Sequence, residues 1–194
     1  MDHLINERGF WETGDGTGHL HDDRLMGGLI RFARGNKISR VIDFGCGMGD
    51  YVKGFRRVGL EAYGYDGNPN TEELTGGLGE TLDLSEPFNL THIGGRNDLV
   101  ISLEVGEHIP VDYEDIFIDN LVRNSANVLI LSWAIPGQEG LGHVNCRENG
   151  YIIWKLGEKG LRYDERWSGI LRRTSRLPWF RKTIMVFRNE KGQG

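Results

Sequence analysis

Residues 40–49 read Arg-Val-Ile-Asp-Phe-Gly-Cys-Gly-Met-Gly. Val41 and Ile42 suit a buried strand, and Asp43 stands where that strand should end. Gly45, Gly47 and Gly49 follow in strict alternation, and a helix-compatible stretch opens near Asp50. A strand, an acid and a glycine-rich turn into a helix is how doubly wound α/β proteins approach a nucleotide-like ligand. Glycine is needed because the backbone must take conformations that a Cβ forbids and must touch the ligand. The spacing is not the G-x-G-x-x-G of dinucleotide folds, which hold a pyrophosphate on a helix N-terminus. A carboxylate beside the loop repels a pyrophosphate and attracts a ligand carrying an ammonium group.

Asp43 through Gly49 resembles the first motif, D-x-G-x-G-x-G, of class I S-adenosylmethionine (SAM) methyltransferases. The resemblance implies that Asp43 lies near the methionine ammonium, directly or through water. It places the turn of Gly45, Cys46, Gly47 and Gly49 beneath the ligand. It also implies a doubly wound, seven-stranded, mostly parallel sheet with an antiparallel last strand. Asp66 closes the second strand in Gly64-Tyr65-Asp66-Gly67. A carboxylate there can accept both ribose hydroxyls, and Gly67 lets the backbone come close to the sugar. A plain Asp-Gly turn is the competing reading. By the same resemblance Asp83 and Leu84 reach the adenine, although Asp83 equally suits a cap near Ser85. Glu104 falls near the methionine half.

The chain has 194 residues, which suits one domain, 1–194, with an N-terminal arm over 1–24 and a core over 25–188. A net charge of -5 argues against a broad nucleic-acid surface while leaving a local patch open. No apolar run is long enough to span a membrane, and the first residues lack a signal-peptide pattern. Cys46 and Cys146 read as free thiols, consistent with a reducing, cytoplasmic setting. Oligomeric state leaves no mark in the sequence.

Strands and helices alternate. Asp22 or Asp23 caps a helix to about Ala33. Strands are expected at Arg40–Phe44, Glu61–Tyr65, Glu80–Leu82, Asp98–Leu103, Asn127–Trp133 and Thr183–Arg188. Helices are expected at Asp50–Arg57, Tyr113–Arg123 and Arg147–Glu158, the last ended by Gly160. The apolar run at Asn127–Trp133 is of the kind that parallel strands show.

Chemistry-bearing residues gather after the fourth strand, in Glu104-Val-Gly-Glu107-His108-Ile-Pro110. A hydroxyl acceptor is a poor nucleophile until a base takes its proton. His108 titrates near neutrality and suits that role. A histidine bonded to a loop carbonyl is an equal reading. Glu107 and His143 are further catalytic candidates. The spacing Glu-x-x-Glu-His also resembles the metal-binding stretch of two groups: methyltransferases that end plant small RNAs with a 2′-O-methyl, and ubiquinone-pathway O-methyltransferases. That resemblance implies Glu104, Glu107, His108 and His143 as ligands of a divalent metal. Carboxylates suit Mg²⁺, whereas imidazoles bring in Mn²⁺ or Zn²⁺.

His19 and His21 are candidate contacts on the N-terminal arm. Gln138, His143 and Asn145, with Trp11 or Trp133 as a stacking face, have the make-up of a polyhydroxyl site, although a tryptophan near a strand end, as Trp133 is, also suits the core. Arg172, Arg173, Arg176, Arg181 and Lys182 could meet a phosphate, or form a solvated helix face. No Asn-Pro-Pro-Tyr-type signature of base and amide N-methylation follows the fourth strand. The resemblance therefore implies SAM-dependent O-methylation of a small molecule or glycan, with sugars favoured. The alternatives are an RNA or protein methyltransferase and a non-catalytic SAM-binding module.

Overall fold

The computed structural model describes residues 5–12, 20–90 and 97–190. His19 lies outside them. Seven strands run in chain order: β1 (Arg40–Phe44), β2 (Glu61–Asp66), β3 (Gly79–Thr81), β4 (Asn97–Leu103), β5 (Ser125–Ser132), β6 (Leu161–Tyr163) and β7 (Met185–Asn189). They form one sheet in the order β3-β2-β1-β4-β5-β7-β6. The pairs β1–β2, β1–β4, β2–β3 and β4–β5 are parallel, while β7 runs antiparallel to both β5 and β6. The strand order reverses between β1 and β4. In an open α/β sheet that switch point, beyond the strand carboxyl ends, is where a ligand binds.

The helices are α1 (Asp23–Gly35), α2 (Asp50–Arg57), α3 (Thr71–Thr75), α4 (Glu114–Asn124), α5 (Asn149–Glu158), α6 (Glu165–Thr174) and α7 (Phe180–Thr183). Side chains alternate across each strand. Val41, Leu99, Ile101, Val128 and Ile130 therefore enter the core against α1, α2 and α6. Ile42, Phe44, Val100, Leu129 and Leu131 enter the core on the opposite face, with Phe117, Leu121, Ile152 and Leu156 of α4 and α5. Asp22 caps α1: its Oδ1 accepts from Arg24 N at 3.0 Å and Leu25 N at 2.9 Å. Its Oδ2 accepts from Arg176 N and Leu177 N, so one carboxylate ties the start of the core to the chain after α6.

The expected spans of β1 and α2 match the structure. Several other elements differ, most of all the last strand and the segment before it. The last strand opens at Met185, because Thr183 closes the short helix α7 and Ile184 turns the chain. The Arg172–Arg176 run includes the end of helix α6, as its helix-face reading expects, and Leu171 of that helix is fully buried against the core with α1. Arg172 Nε donates to Ile184 O at 2.7 Å, so this side chain closes backbone within the fold. None of the basic residues proposed for a phosphate lines the cavity described below.

A buried polar knot fixes the loop between β5 and α5. Glu114, at the start of α4, is 2 % exposed. Its Oε2 accepts from Arg147 Nε at 2.7 Å and Asn145 Nδ2 at 3.0 Å. Its Oε1 accepts from Tyr151 Oη and from Lys155 Nζ at 3.1 Å. Burial pushes this carboxyl up, but the four donors outweigh it and hold it below the usual glutamate value. Glu114→Ala leaves Arg147 without a carboxylate and Lys155 with Asp115 alone, and is expected to cost about 3 kcal/mol in urea unfolding; a loss below about 1 kcal/mol counts against a structural role for the knot. Because the folded value is depressed, this stabilisation is present above the unfolded value and fades as pH falls through the folded one.

Candidate active site at the strand carboxyl edge

A cavity of about 470 Å³ opens at the switch point, lined from the β1 turn, the ends of β2 and β4, residues 138–143 and the N-terminal segment. Gly45, Gly47 and Gly49 sit at φ of +80°, +53° and +71°. A Cβ on Gly45 would lie 2.2 Å from Val105 Cγ2, so only glycine fits both the backbone angle and the space. Gly49 is the N-cap residue of α2. Cys46 turns its side chain inward: a Cβ on Gly64 or Gly79 would meet its Sγ at 2.8 or 3.0 Å. Burial pushes that thiol up, so what Cys46 offers a ligand is backbone.

Asp43 is 3 % exposed and lines the cavity. Its Oδ2 has no hydrogen-bond partner among the described residues. Burial, followed by the nearby Asp66 charge, pushes its carboxyl up to about 8. Asp66 is better held. Its Oδ2 accepts from Gly47 N at 2.9 Å and its Oδ1 from Asn68 N at 3.0 Å. A carboxylate has lone pairs beyond these two for further hydroxyls.

Residues from Trp11 onward are expected to lie over the cofactor or substrate mouth, and the wall begins earlier, with Gly9, Phe10 and Trp11 of segment 5–12 lining the cavity. Phe10 fills the space a Cβ on Gly67 would need, at 2.7 Å. Glycine at 67 thus serves this packing. Arg8 pins the segment down: its guanidinium donates to Asp83 Oδ2 at 3.0 Å, bonds Glu86 and lies over the Tyr113 ring at 5.4 Å. Asp83 Oδ1 accepts from Ser85 N at 2.9 Å in a turn rather than at a helix start, because no helix follows β3 at Ser85, and Asp83 lines the cavity. Leu84 is buried and also lines the cavity. The sequence signal for the wall was the pair Phe10-Trp11, isolated in a polar stretch.

Across the cavity, Glu104 takes a left-handed conformation, φ +55°, rare for a residue with a Cβ. Its N–H donates to Ser132 Oγ at 2.8 Å, which helps hold the backbone there. Its carboxylate accepts from Gln138 Nε2 and from Thr183 Oγ1 at 3.2 Å, and burial raises its pKa. Glu107 is fully buried, and neither carboxylate oxygen has a hydrogen-bond partner among the described residues. Burial, then the neighbouring Glu104 charge, pushes Glu107 well above the usual glutamate value. His143 stands 3.9 Å from it, Nε2 to Oε1. The other ring nitrogen of His143, Nδ1, is 3.0 Å from Gln138 O. A carbonyl only accepts, so Nδ1 carries the hydrogen and the Nε2 lone pair faces Glu107 in the neutral ring. The His108 and His143 rings meet edge to face at 5.0 Å.

One ligand atom each from Glu107, His108 and His143 lie within 4.8 Å of one another. Of the four metal-ligand candidates the structure brings these three together, while Glu104 turns to Gln138 and Thr183. Two expected substrate contacts are corrected. Trp133 is fully buried with its indole N–H on Asn145 O at 2.6 Å, so it offers no stacking face. Asn145 is 4 % exposed and its amide is committed to Glu114. Trp11, Gln138 and His21 do line the cavity.

A family model described as a methyltransferase domain matches residues 18–137. The chain belongs to that methyltransferase family. Its sheet is the class I, SAM-dependent methyltransferase fold. No curated protein matches the sequence. Among solved structures, magnesium protoporphyrin IX methyltransferase (ChlM) from Synechocystis PCC 6803, with bound SAM, is similar at TM-score 0.60 and 22% identity, over 85% of this chain and 78% of that one. CalS10, a SAM-bound amino pentose methyltransferase from Micromonospora echinaspora involved in calicheamicin biosynthesis, gives TM-score 0.63 and 15% identity over 90% and 93%. The methyltransferase domain of a bacterial Hen1 (CtHen1-CN) gives TM-score 0.57 and 15% identity over 85% and 97%. At these identities the likeness concerns the fold. Among the described residues no helix is long and apolar enough to cross a membrane.

Proposed function

We propose that this methyltransferase uses SAM to methylate a hydroxyl of a small molecule or glycan, with a sugar hydroxyl favoured. The observation that carries the reading is Asp43: a buried carboxyl whose Oδ2 has no hydrogen-bond partner among the described residues, facing the cavity beside three left-handed glycines. An unpaired buried carboxyl is costly and is stabilised by a cationic ligand group. In this reading Asp43 holds the ammonium, the Gly45–Gly49 turn passes under the ligand, Asp66 accepts the ribose hydroxyls, and Asp83 with Leu84 borders the adenine. Glu104 borders the methionine half. When bound, SAM supplies a methyl group on a positively charged sulfur. The polar group of His108, Glu107 and His143 then receives the acceptor hydroxyl's proton. The Nε2 of His143 is the atom with a free lone pair in the neutral ring, and Gln138 O keeps the ring in that tautomer.

The same three side chains support a second reading, a divalent cation held by one carboxylate and two imidazoles. The Nδ1–H of His143 on a backbone carbonyl is the outer contact that orients a metal-binding imidazole. Such a cation lowers the pKa of a hydroxyl it touches. Two imidazoles favour Mn²⁺ over Mg²⁺. The test is release of S-adenosylhomocysteine from SAM across pools of sugars, glycosides, phenols and short RNAs, with and without EDTA. Turnover is expected with hydroxyl acceptors. EDTA-insensitive turnover with no heat of Mn²⁺ binding removes the metal, and SAM binding without turnover on any pool points instead to a non-catalytic SAM-binding module.

A further inference from the structure

We infer that the acceptor is an uncharged hydroxyl compound with an apolar body, and that the site selects against phosphate-bearing acceptors. This rests on the SAM-dependent reading above and narrows its substrate class. The first observation is charge. The cavity is lined by Asp43, Asp50, Asp66, Asp83, Glu104 and Glu139, and by no lysine or arginine among the described residues. A cavity that recognises a phosphate ordinarily places arginine or lysine against it. Three cations of neighbouring elements are committed to carboxylates. Arg8 pairs with Asp83 and Glu86, and Arg147 and Lys155 pair with Glu114. With no lysine or arginine on its described lining, the cavity offers a phosphate no cationic partner and leaves a neutral hydroxyl unopposed.

The second observation is the apolar rim. Leu20, Leu141 and Val144 are 60%, 54% and 65% exposed. Leu20 and Leu141 line the cavity, and Leu141 and Val144 flank His143 on one loop. Single exposed leucines mean little, but apolar side chains gathered at the mouth of a binding cavity mark what it accepts. The loop is held in place from below: Val144 N and Asn145 N both donate to Glu107 O at 2.9 Å, and a Cβ on Gly142 would lie 2.6 Å from Ile5 Cδ1. The apolar side chains therefore stay outward, beside the proton-accepting group. Apolar contacts at Leu141 and Leu20, both on the cavity lining, position the acceptor body while its hydroxyl points to His143 and His108.

The test compares four probes at fixed SAM: an octyl glycoside, the matching methyl glycoside, the matching sugar phosphate and a short RNA. Release of S-adenosylhomocysteine gives kcat/KM, and calorimetry gives SAM affinity separately. The octyl glycoside is expected to exceed the sugar phosphate by at least about tenfold, and Leu141→Asp to lower kcat/KM for the octyl glycoside by a similar factor without changing SAM affinity. Leu141→Lys is expected to narrow the gap between the two. Preference for the phosphate or the RNA, no turnover of the octyl glycoside while SAM is bound, or an unchanged kcat/KM in Leu141→Asp overturns the inference. Absence of SAM binding overturns the cofactor reading instead.

Discussion

Asp43→Ala weakens SAM binding by about 30-fold or more in calorimetry, the cost of truncating one partner of a buried, charged hydrogen-bonded pair. The pH dependence of the unaltered protein tests the same contact without a mutation. Asp43 carries its proton up to about 8 because burial and the Asp66 charge disfavour ionisation. An ammonium ligand needs the carboxylate, so binding expels that proton. Below pH 8 the affinity falls by about tenfold per unit. Above it the α-amino group of the ligand loses its own proton, with an ordinary pKa of about 7.7–8.0, and affinity falls again. The result is a bell with its apex near pH 8. Asp43→Asn removes the acid limb. In the ligand-free protein the sign is opposite. The folded value lies above the unfolded one, so the stability contribution is greatest at low pH and is lost as pH rises towards 8. Asp43→Asn therefore raises the Tm of the ligand-free protein, more at pH 8 than at pH 5. SAM affinity within threefold of the parent in Asp43→Ala, or a flat pH profile, removes Asp43 from the site.

That site was largely legible because it is written in short range. Arg40–Phe44 is a buried strand by composition, and the alternate glycines that follow are demanded by backbone angle and by Val105. Position along the sheet then gave Asp66 its place. Long-range relations were harder to read. Nothing near Trp133 says that its indole N–H is spent on Asn145 O, because that bond depends on the path of a loop fixed by Glu114, in another element. Nothing near Glu104 says that a left-handed backbone commits its carboxylate to Gln138 and Thr183 while it stays beside Glu107. The helix α6 did carry a local signal: Asp164 caps it, and Trp167 and Leu171 are spaced to face the core. The run of arginines masked it, since charge on the solvent side of a helix looks like a binding patch when the buried side is not counted. β6 is three residues long at the sheet edge, too short to show a period.

His143→Ala separates binding from chemistry. The ring touches Glu107 and His108 on one side and is fixed by Gln138 O on the other, while the adenosine-side residues Asp66 and Asp83 belong to other elements. SAM affinity is thus expected to stay within about twofold, since distant sites act independently. Turnover falls by about 10²–10⁴, the range for losing a positioned proton acceptor. In the proposed chemistry Glu107→Gln should fall by a similar factor, because the Glu107 carboxyl faces the His143 Nε2 at 3.9 Å. The double variant should be little worse than either single one, as residues that act as a unit are strongly non-additive. His143→Gln keeps a polar group but not the imidazole and should recover little. Two outcomes would remove this cluster from the chemistry: turnover within threefold of the parent in His143→Ala, or a double variant whose loss equals the product of the two single losses. Cys146 supplies a control, since its Sγ lies 3.9 Å from His143 Nδ1 and its thiol is pushed up by burial. A neutral thiol beside the ring has no proton-accepting role at pH 7, so Cys146→Ser leaves kcat nearly unchanged while His143→Ala does not.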